Sequence, residues 1–220
     1  MQMPPEMVIF DCDGVIVDSE TLSADVLCAS LERHGLSLTR DAFLQIALGG
    51  TINGVAQTAR EMGAQLPSGW VDDVYEEIFS VLEAEVTAID GIVAVLDQLD
   101  AAGIVYAVGS NGPHRKMQIT LGRTGLLSRF EGRIWSREDV PTPKPAPDVY
   151  LKAASEANVL AERCVVVEDS APGARAAKAA DMYCIGFAAE TDPLTLKPVC
   201  DELFDHMDEL PGLLGLASQN

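Results

Sequence analysis

Short apolar runs that alternate with helix-like segments are the feature that most constrains the fold of this chain. Four runs lack the polar alternation of a half-exposed strand: Met7–Phe10, Ile104–Val108, Cys164–Val167 and, more weakly, Tyr183–Phe187. The helical patterns between them cover Ile92–Ala101, Pro113–Gly122, Asp148–Ala157 and Gly173–Ala180. This alternation predicts an α/β fold with an open, Rossmann-like parallel sheet and right-handed crossovers.

One long region interrupts the alternation. Between Asp18 and Ala88 the sequence shows only helix-like patterns, which cover Thr21–His34, Asp41–Ala47, Gly54–Met62 and Val71–Glu85. The glycine-rich segment ALGGTING, which we expect to form a loop, lies among them. We therefore predict a core domain of residues 1–17 and 89–220, with a helical domain of residues 18–88 inserted after the first strand.

The charge and composition of the chain exclude several classes of partner. A net charge of −19 over 220 residues disfavours nucleic acids and anionic membrane surfaces. No apolar stretch reaches the roughly 18 residues of a membrane span, and the start MQMPPEM lacks the features of a signal peptide. Five scattered cysteines without a C-x-x-C pair favour a reduced, cytoplasmic setting. No strong interface stripe is evident, so we expect a monomer or a weak homo-oligomer.

Polar residues follow the predicted strands at the positions where a parallel sheet binds ligands. Acids follow the first and third strands, a hydroxyl and an amide follow the second, and a lysine lies in the proline-rich loop PTPKPAP. The set is Asp11, Asp13, Ser110, Asn111, Lys144, Glu168 and Asp169. Because the carboxyl ends of parallel strands lie at one edge of a sheet, we expect these side chains to converge there.

Carboxylates that crowd together repel one another, and a hard cation removes that repulsion. We expect a Mg²⁺ site built from Asp11, Asp13, Glu168 and Asp169, in which Asp13 can bind through its backbone carbonyl. The sequence leaves open which of Glu168 and Asp169 binds the metal directly. Mg²⁺ and Lys144 would then supply the local positive charge that an anionic substrate needs.

The two acids after the first strand can carry out phosphoryl transfer through a covalent intermediate. Asp11 can attack phosphorus and form an aspartyl-phosphate, which divides one difficult step into two easier ones. Asp13 can stay protonated, donate its proton to the leaving oxygen and later accept one from water.

The phosphoryl oxygens need donors and positive charge. Ser110, Asn111 and Lys144 can supply them, because phosphoryl oxygens act only as hydrogen-bond acceptors. Gly109 and Gly112 would let the backbone come close to the phosphate.

Four motifs, DCDGVIVDSE, SNG, KPAPDVY and VVVEDSAPGARAAKAA, occur in this order over nearly the whole chain. Together they resemble the haloacid dehalogenase-like phosphohydrolases, in the branch of beta-phosphoglucomutases and sugar-phosphate phosphatases. The run SNGPHRKMQITLGRTGLL is similar to that of bacterial 6-phosphogluconate phosphatases. The resemblance implies these roles: nucleophile Asp11, acid/base Asp13, phosphate binders Ser110 and Lys144, and acidic metal motif Glu168 with Asp169. It also implies that the helical insertion is a cap domain.

Two departures from the resemblance favour a phosphatase. Ser23 and Asn53 stand where beta-phosphoglucomutases carry a histidine and an arginine. We expect a Mg²⁺-dependent phosphatase of a small phosphorylated metabolite, a sugar or sugar-acid phosphate, with a phosphomutase as the alternative. A non-enzymatic phospho-acceptor switch is a more distant alternative, because receiver domains are roughly half this length and lack such an insertion. The candidate substrate contacts in the cap are Glu20, Thr51 and Asn53.

Overall fold

The computed structural model describes residues 3–47 and 51–216, which form two compact units. The core unit contains the chain up to Val17 and from Ala88 onward, and the helical unit is Asp18–Thr87. The boundaries expected from the sequence differ from this division by one residue, at position 88. No helix in the described part of the chain is both long and apolar enough to cross a membrane.

Helices α1 (Glu20–Arg33), α2 (Arg40–Ala47), α3 (Ile52–Glu61) and α4 (Trp70–Glu85) make up the helical unit. Helix α1 packs against α2 and α4, and the buried indole N–H of Trp70 donates to the Ser30 hydroxyl at 2.9 Å. The predicted helix ends agree with these bounds within two residues. Of the glycine-rich segment, residues 48–50 lie outside the described residues, and Ile52 already belongs to α3 rather than to a loop.

The core unit is built on a six-stranded sheet, which confirms the predicted α/β fold. The strands along the chain are β1 (Met7–Phe10), the two-residue β2 (Val17–Asp18) and β3 (Thr87–Ala88), β4 (Val105–Ser110), β5 (Ile134–Ser136), β6 (Cys164–Glu168), β7 (Tyr183–Phe187) and β8 (Glu202–Phe204). The sheet order is β5-β4-β1-β6-β7-β8, with parallel neighbours throughout, and β2 and β3 form a separate two-stranded sheet. The sequence missed β5 and β8, because a three-residue strand is too short to show a pattern.

Helices cover the sheet and explain its apolar strands. They are α5 (Ile92–Ala102), α6 (His114–Arg123), α7 (Asp148–Glu156), α8 (Ala171–Ala179) and the short α9 (Pro193–Leu196) and α10 (Leu210–Leu213). Helices α7 and α8 share one apolar cluster with Met7 and Ile9 of β1, and α5 packs against β4. Every residue of β1 and β6 is buried, as expected of central strands in a covered parallel sheet.

The strand register brings the ends of the three central strands level with one another. Phe10 pairs with Val108 of β4 and with Val167 of β6. The backbone N–H of Asp11 continues this ladder by donating to the Val167 carbonyl at 2.9 Å. Asp11 is therefore level with Glu168, the last residue of β6, at the carboxyl edge where open α/β sheets bind ligands.

Candidate active site

A lysine between two buried carboxylates forms the centre of the candidate site. Lys144 Nζ lies 2.5 Å from Asp11 Oδ1 and 2.7 Å from Glu168 Oε1. The side chains of Lys144, Asp11 and Glu168 are 3%, 11% and 1% exposed, respectively. Because burial removes most of the solvation of these charges, each of them depends on its neighbours for stabilisation.

The electrostatics of this cluster reflect burial first and charge pairing second. Burial raises the pKa of Asp11 to about 7, and the Lys144 ammonium offsets part of that rise. Burial also acts to lower the pKa of Lys144, but the carboxylates of Asp11 and Glu168 outweigh it, so the net direction is upward. Lys144 therefore stays ionised and gives this strongly acidic protein a local positive charge.

Glu168 has protein donors at both of its carboxylate oxygens. Oε1 accepts from Lys144 Nζ and from the Tyr150 hydroxyl at 2.8 Å, and Oε2 accepts from the Ser170 N–H at 2.9 Å and its hydroxyl at 2.8 Å. A Cβ at Gly173 would overlap the Glu168 carboxylate, so that glycine leaves the space in which Glu168 lies. A carboxylate has about four acceptor positions, and these four donors use them. Glu168 thus fits the role of a residue that positions Lys144.

Asp169 lies against the turn that follows Asp13. Gly14 has φ = +77°, and a Cβ at this position would overlap the carboxylate of Asp169. Glycine adopts a positive φ without steric cost, and here it also allows Asp169 to approach the backbone closely. The residues Asp11 and Asp169 are each 8% exposed, so two buried acids follow the neighbouring strands β1 and β6.

The oxygen donors at this edge of the sheet fit a hard divalent cation, although Glu168, one of the predicted ligands, contacts other groups. Within residues 3–47 and 51–216, no three His, Cys, Asp or Glu side chains are grouped so that they could hold a metal ion. The physical reason is that Glu168 faces Lys144, Tyr150 and Ser170, while Asp13 pairs with a lysine. Asp11, Asp169 and the nearby backbone still offer the oxygen ligands that Mg²⁺ prefers.

Asp13 forms an ion pair that the sequence analysis did not predict. Lys116 Nζ, in the first turn of α6, lies 2.8 Å from Asp13 Oδ1, and the two side chains are 16% and 20% exposed. The ammonium of Lys116 attracts the Asp13 carboxylate, whereas the neighbouring Asp11 carboxylate repels it. The only signal for Lys116 in the sequence is its position just after the SNG motif.

Ser110 and Asn111 follow the sequence prediction in place but differ in what they contact. The Ser110 hydroxyl is buried and accepts from the Gly112 N–H at 2.9 Å. Asn111 Nδ2 donates to the Lys144 carbonyl at 3.1 Å, and Asn111 Oδ1 accepts from the Lys144 N–H at 2.9 Å. Both ends of the Asn111 amide thus hold the backbone of Lys144, so this side chain fits a positioning role better than the predicted phosphate contact.

Tyr150 is a site residue that the sequence analysis missed. Its hydroxyl donates to Glu168, and its ring centroid lies 4.6 Å from Lys144 Nζ, close enough for a cation–π interaction. Burial raises the pKa of Tyr150 well above its usual value, so the hydroxyl remains a donor. A Cβ at Gly109 would lie 3.0 Å from this ring, so Gly109 makes room for Tyr150 rather than for phosphate. The available signal was the position of Tyr150 at the end of KPAPDVY.

The three candidates in the helical unit lie at the starts of helices. Glu20 is the first residue of α1 and is exposed. The Thr51 hydroxyl caps α3 by accepting from the Gly54 N–H at 3.2 Å, and Asn53 is exposed in the first turn of α3. A hydroxyl that caps its own helix has a structural reason to be there, so the cap hydrogen bond already accounts for Thr51.

Comparison with known proteins identifies relatives of the whole chain. Residues 5–181 match the haloacid dehalogenase-like hydrolases. The chain is 30% identical over 210 residues to the 6-phosphogluconate phosphatase of Escherichia coli K12, covering 94% of each. It is 30% identical over 177 residues to the phosphorylated carbohydrates phosphatase of Thermotoga maritima, covering 80% of this chain and 81% of that protein. A solved hydrolase of the same family from Deinococcus radiodurans, with bound phosphate and sodium, is 29% identical, with a TM-score of 0.82 and full coverage of both chains.

Proposed function

The chain belongs to the haloacid dehalogenase-like hydrolase family, and on that premise we propose that it is a Mg²⁺-dependent phosphatase of a sugar or sugar-acid phosphate. The predicted family is confirmed, and the phosphatases among its relatives make the protein a phosphoric monoester hydrolase of phosphorylated metabolites. The metal, the covalent mechanism and the sugar class belong to the proposal. A cytoplasmic location is also part of it, supported by five cysteines that are all free thiols.

The observation that carries the proposal is the buried Lys144 between Asp11 and Glu168 at the carboxyl edge of the sheet. Glu168 is held by Tyr150 and Ser170, so it anchors the lysine, and the lysine in turn holds the carboxylate of Asp11. A nucleophile with a fixed orientation next to a fixed positive charge is what attack on an anionic phosphate ester requires.

In the first step Asp11 attacks phosphorus. A bond forms between a carboxylate oxygen of Asp11 and phosphorus, the ester P–O bond breaks, and the alcohol leaves with a proton delivered by Asp13. We propose that Asp13 takes this proton from solvent before the step, when the anionic phosphate of the substrate attracts Lys116 and weakens the ion pair between Lys116 and Asp13. In the second step Asp13 accepts a proton from water, which attacks phosphorus, and the bond from phosphorus to Asp11 breaks.

The metal would be held by Asp11, by Asp169 beside Gly14 and by the backbone carbonyl of Asp13, whereas Glu168 would act through Lys144. When bound, Mg²⁺ would neutralise charge on the phosphoryl group and hold it in line with the nucleophile. Ser110 and backbone N–H groups near Gly112 are the proposed donors to the phosphoryl oxygens. We propose that Lys144 supplies positive charge to the same phosphoryl oxygens.

The substrate class rests on the relatives, since one of them is a 6-phosphogluconate phosphatase and another a phosphorylated carbohydrates phosphatase. Glu20 and Asn53 of the helical unit, the proposed cap, remain proposed substrate contacts. Thr51 remains one as well, in addition to its role as the cap of α3. The phosphomutase alternative is weaker, because Ser23, at the position of the mutase histidine, donates its hydroxyl to the Ser19 carbonyl at 2.8 Å.

The test is phosphate release from a panel of sugar phosphates that includes 6-phosphogluconate, measured with Mg²⁺ and with EDTA. We expect release that requires Mg²⁺ and is lost in Asp11→Asn, and the ester turned over fastest identifies the substrate class. Thermal unfolding of the wild type with and without Mg²⁺ reports binding independently of turnover, and a bound ion should raise Tm. No release above the Asp11→Asn level from any ester would contradict the phosphatase proposal.

A further inference from the structure

Outside the candidate active site, two cysteine sulfur atoms lie close to each other. The Sγ atoms of Cys184, in β7, and Cys200, between α9 and β8, are 3.8 Å apart. Cys184 is fully buried, whereas Cys200 is partly exposed, and both are free thiols. The pair therefore combines a fully buried cysteine with one that is partly exposed as a residue.

The backbone around the pair fixes this proximity. The Cys184 N–H donates to Asp201 Oδ2 at 2.8 Å, and the Asp201 N–H donates to the Cys184 carbonyl at 2.8 Å. Lys178 Nζ binds the same Asp201 carboxylate at 2.6 Å and 2.8 Å. A Cβ at Gly186 would lie 2.8 Å from Cys200 Sγ, so this glycine leaves the space that the sulfur occupies. Strand pairing and local packing thus hold the two sulfurs together.

The two cysteines differ in exposure, and their mutual hydrogen bond acts on the pKa of each in opposite directions. The hydrogen bond from the Cys184 thiol lowers the pKa of Cys200, and Lys178 adds to this effect, whereas burial and the carboxylates of Glu168 and Asp201 oppose it. The same hydrogen bond and burial raise the pKa of Cys184. A partly exposed thiol with lowered pKa beside a second cysteine is the arrangement of cysteines that react with oxidants.

We propose that Cys184 and Cys200 form a peroxide-sensitive pair that closes to a reversible disulfide. The Cys200 thiolate attacks hydrogen peroxide, an S–O bond forms, the O–O bond breaks, and the departing hydroxide is protonated to water. Cys184 Sγ then attacks the sulfur of the Cys200 sulfenic acid, the S–S bond forms, and the hydroxyl leaves as water with the Cys184 proton. The two thiols are oxidised, the peroxide is reduced to two waters, and a dithiol reductant reverses the reaction.

The proposed bond would join β7 to the segment that leads into the edge strand β8. It closes a ring from residue 184 to residue 200 that contains the exposed start of α9. Cys184 lies in β7, the strand beside β6, in which Gly186 is the register partner of Glu168. The proposal does not depend on the phosphatase assignment.

The experiment treats the folded protein with hydrogen peroxide, unfolds it, labels free thiols with iodoacetamide and measures its mass. We expect two fewer labels than in the untreated protein, and full labelling after treatment with dithiothreitol. Glu-C cleavage after Glu190 separates the two cysteines, so the cross-link appears as a linked pair of peptides. A Cys28→Ser background removes a partly exposed cysteine that could cross-link between chains.

Two variants test the order of events. In Cys184→Ala we expect Cys200 to stop at the sulfenic acid, which dimedone traps, and in Cys200→Ser we expect no dimedone adduct at Cys184. The partly exposed Cys200→Ser keeps the test meaningful if the buried Cys184→Ala does not fold. The proposal would be overturned if the peroxide-treated wild type kept the same number of iodoacetamide labels as the untreated protein. A cross-link that joins other cysteines would also overturn it. Trapping at Cys184 rather than at Cys200 would also overturn it.

Discussion

Two clusters in the core unit each place one cation between two carboxylates. They are Lys144 with Asp11 and Glu168 in the candidate site, and Arg129 with Asp97 and Asp100 near the surface. Both clusters have nitrogen–oxygen distances of 2.5 Å and 2.7 Å. They differ in solvent exposure, because the acids beside Lys144 are 11% and 1% exposed and those beside Arg129 are 63% and 54% exposed.

The two clusters therefore differ in the exposure of their acids and not in their nitrogen–oxygen distances. An exposed ion pair contributes about 0–1 kcal/mol, because water solvates either partner when the other is removed. A buried pair that loses one partner leaves a charge without compensation, at a cost of about 3–5 kcal/mol. The buried cluster can therefore hold one fixed arrangement of charges, and each substitution in it should have a larger effect than its surface counterpart.

The largest expected difference between the clusters is in turnover. Asp11→Asn removes the proposed nucleophile, and we expect phosphate release to fall by at least about a thousand-fold, roughly 4 kcal/mol of transition-state stabilisation. The matched surface change, Asp97→Asn, should leave turnover within about two-fold of the wild type, which is well under 1 kcal/mol. Steady-state release with Mg²⁺ measures both variants, and an Asp11→Asn protein that keeps a tenth of the activity would contradict the assigned role.

The second expected difference is in folding stability. Lys144→Met keeps the length of the side chain but leaves Asp11 and Glu168 facing each other without a cation, so we expect a loss of about 3–5 kcal/mol. Arg129→Met should cost at most about 1 kcal/mol for each exposed pair. Urea unfolding at neutral pH measures both free energies, and equal losses in the two variants would refute the distinction between the clusters.

A smaller effect is expected from the hydroxyl that holds Glu168. Tyr150→Phe keeps the ring beside Lys144 and removes one hydrogen bond to a carboxylate, so we expect a loss of about 2 kcal/mol in stability. The same change should lower kcat by about ten-fold, because Glu168 then holds Lys144 less firmly. The control is Tyr183→Phe, whose hydroxyl donates to Glu202 at 2.9 Å away from the site. If both variants kept wild-type kcat, Tyr150 would be structural only.

The smallest expected difference between the clusters is in how salt changes the free energy of unfolding. At 1 M NaCl the Debye length is about 3 Å, so exposed charges are screened and buried ones much less. In 1 M NaCl we expect the difference in unfolding free energy between the wild type and Arg129→Met to shrink towards zero. The difference between the wild type and Lys144→Met should persist. Repeating the urea curves with added NaCl tests this, and a loss of both differences would mean that water reaches the buried cluster.

The sequence predicted the parts of the fold that have long patterns. The predicted bounds of β1, β4, β6, β7 and the eight longer helices were close to the observed ones. Burial on both faces of a strand leaves a continuous apolar run, and burial on one face of a helix leaves a helical period. The strands β5 and β8 have three residues each, and β8 includes Glu202, so neither has a detectable apolar run. Short edge strands are defined by the partner they pair with, and that information lies outside their own residues.

The location of the site could be predicted from the sequence, but its side-chain contacts could not. Sheet topology implied that the acids after β1 and β6 would meet at one edge. Which of Glu168 and Asp169 is available to bind a metal depends on the hydrogen bonds that Tyr150 and Ser170 donate to Glu168. The positioning role of Asn111 depends on its contact with Lys144, which lies 33 residues away in the sequence. Such contacts depend on side-chain directions in three dimensions, which residue type and spacing do not encode.

Three glycines around the site limit how its side chains could be grafted onto another protein. Each leaves the volume that one functional side chain fills: Gly14 for Asp169, Gly109 for Tyr150 and Gly173 for Glu168. A designer who grafted only the reactive side chains onto another parallel sheet would place them against Cβ atoms that occupy the same space. A design of this site therefore has to specify the three glycines, which lack a Cβ atom, along with the polar residues. A sequence search that scores only the acids and the lysine would accept chains that cannot build it.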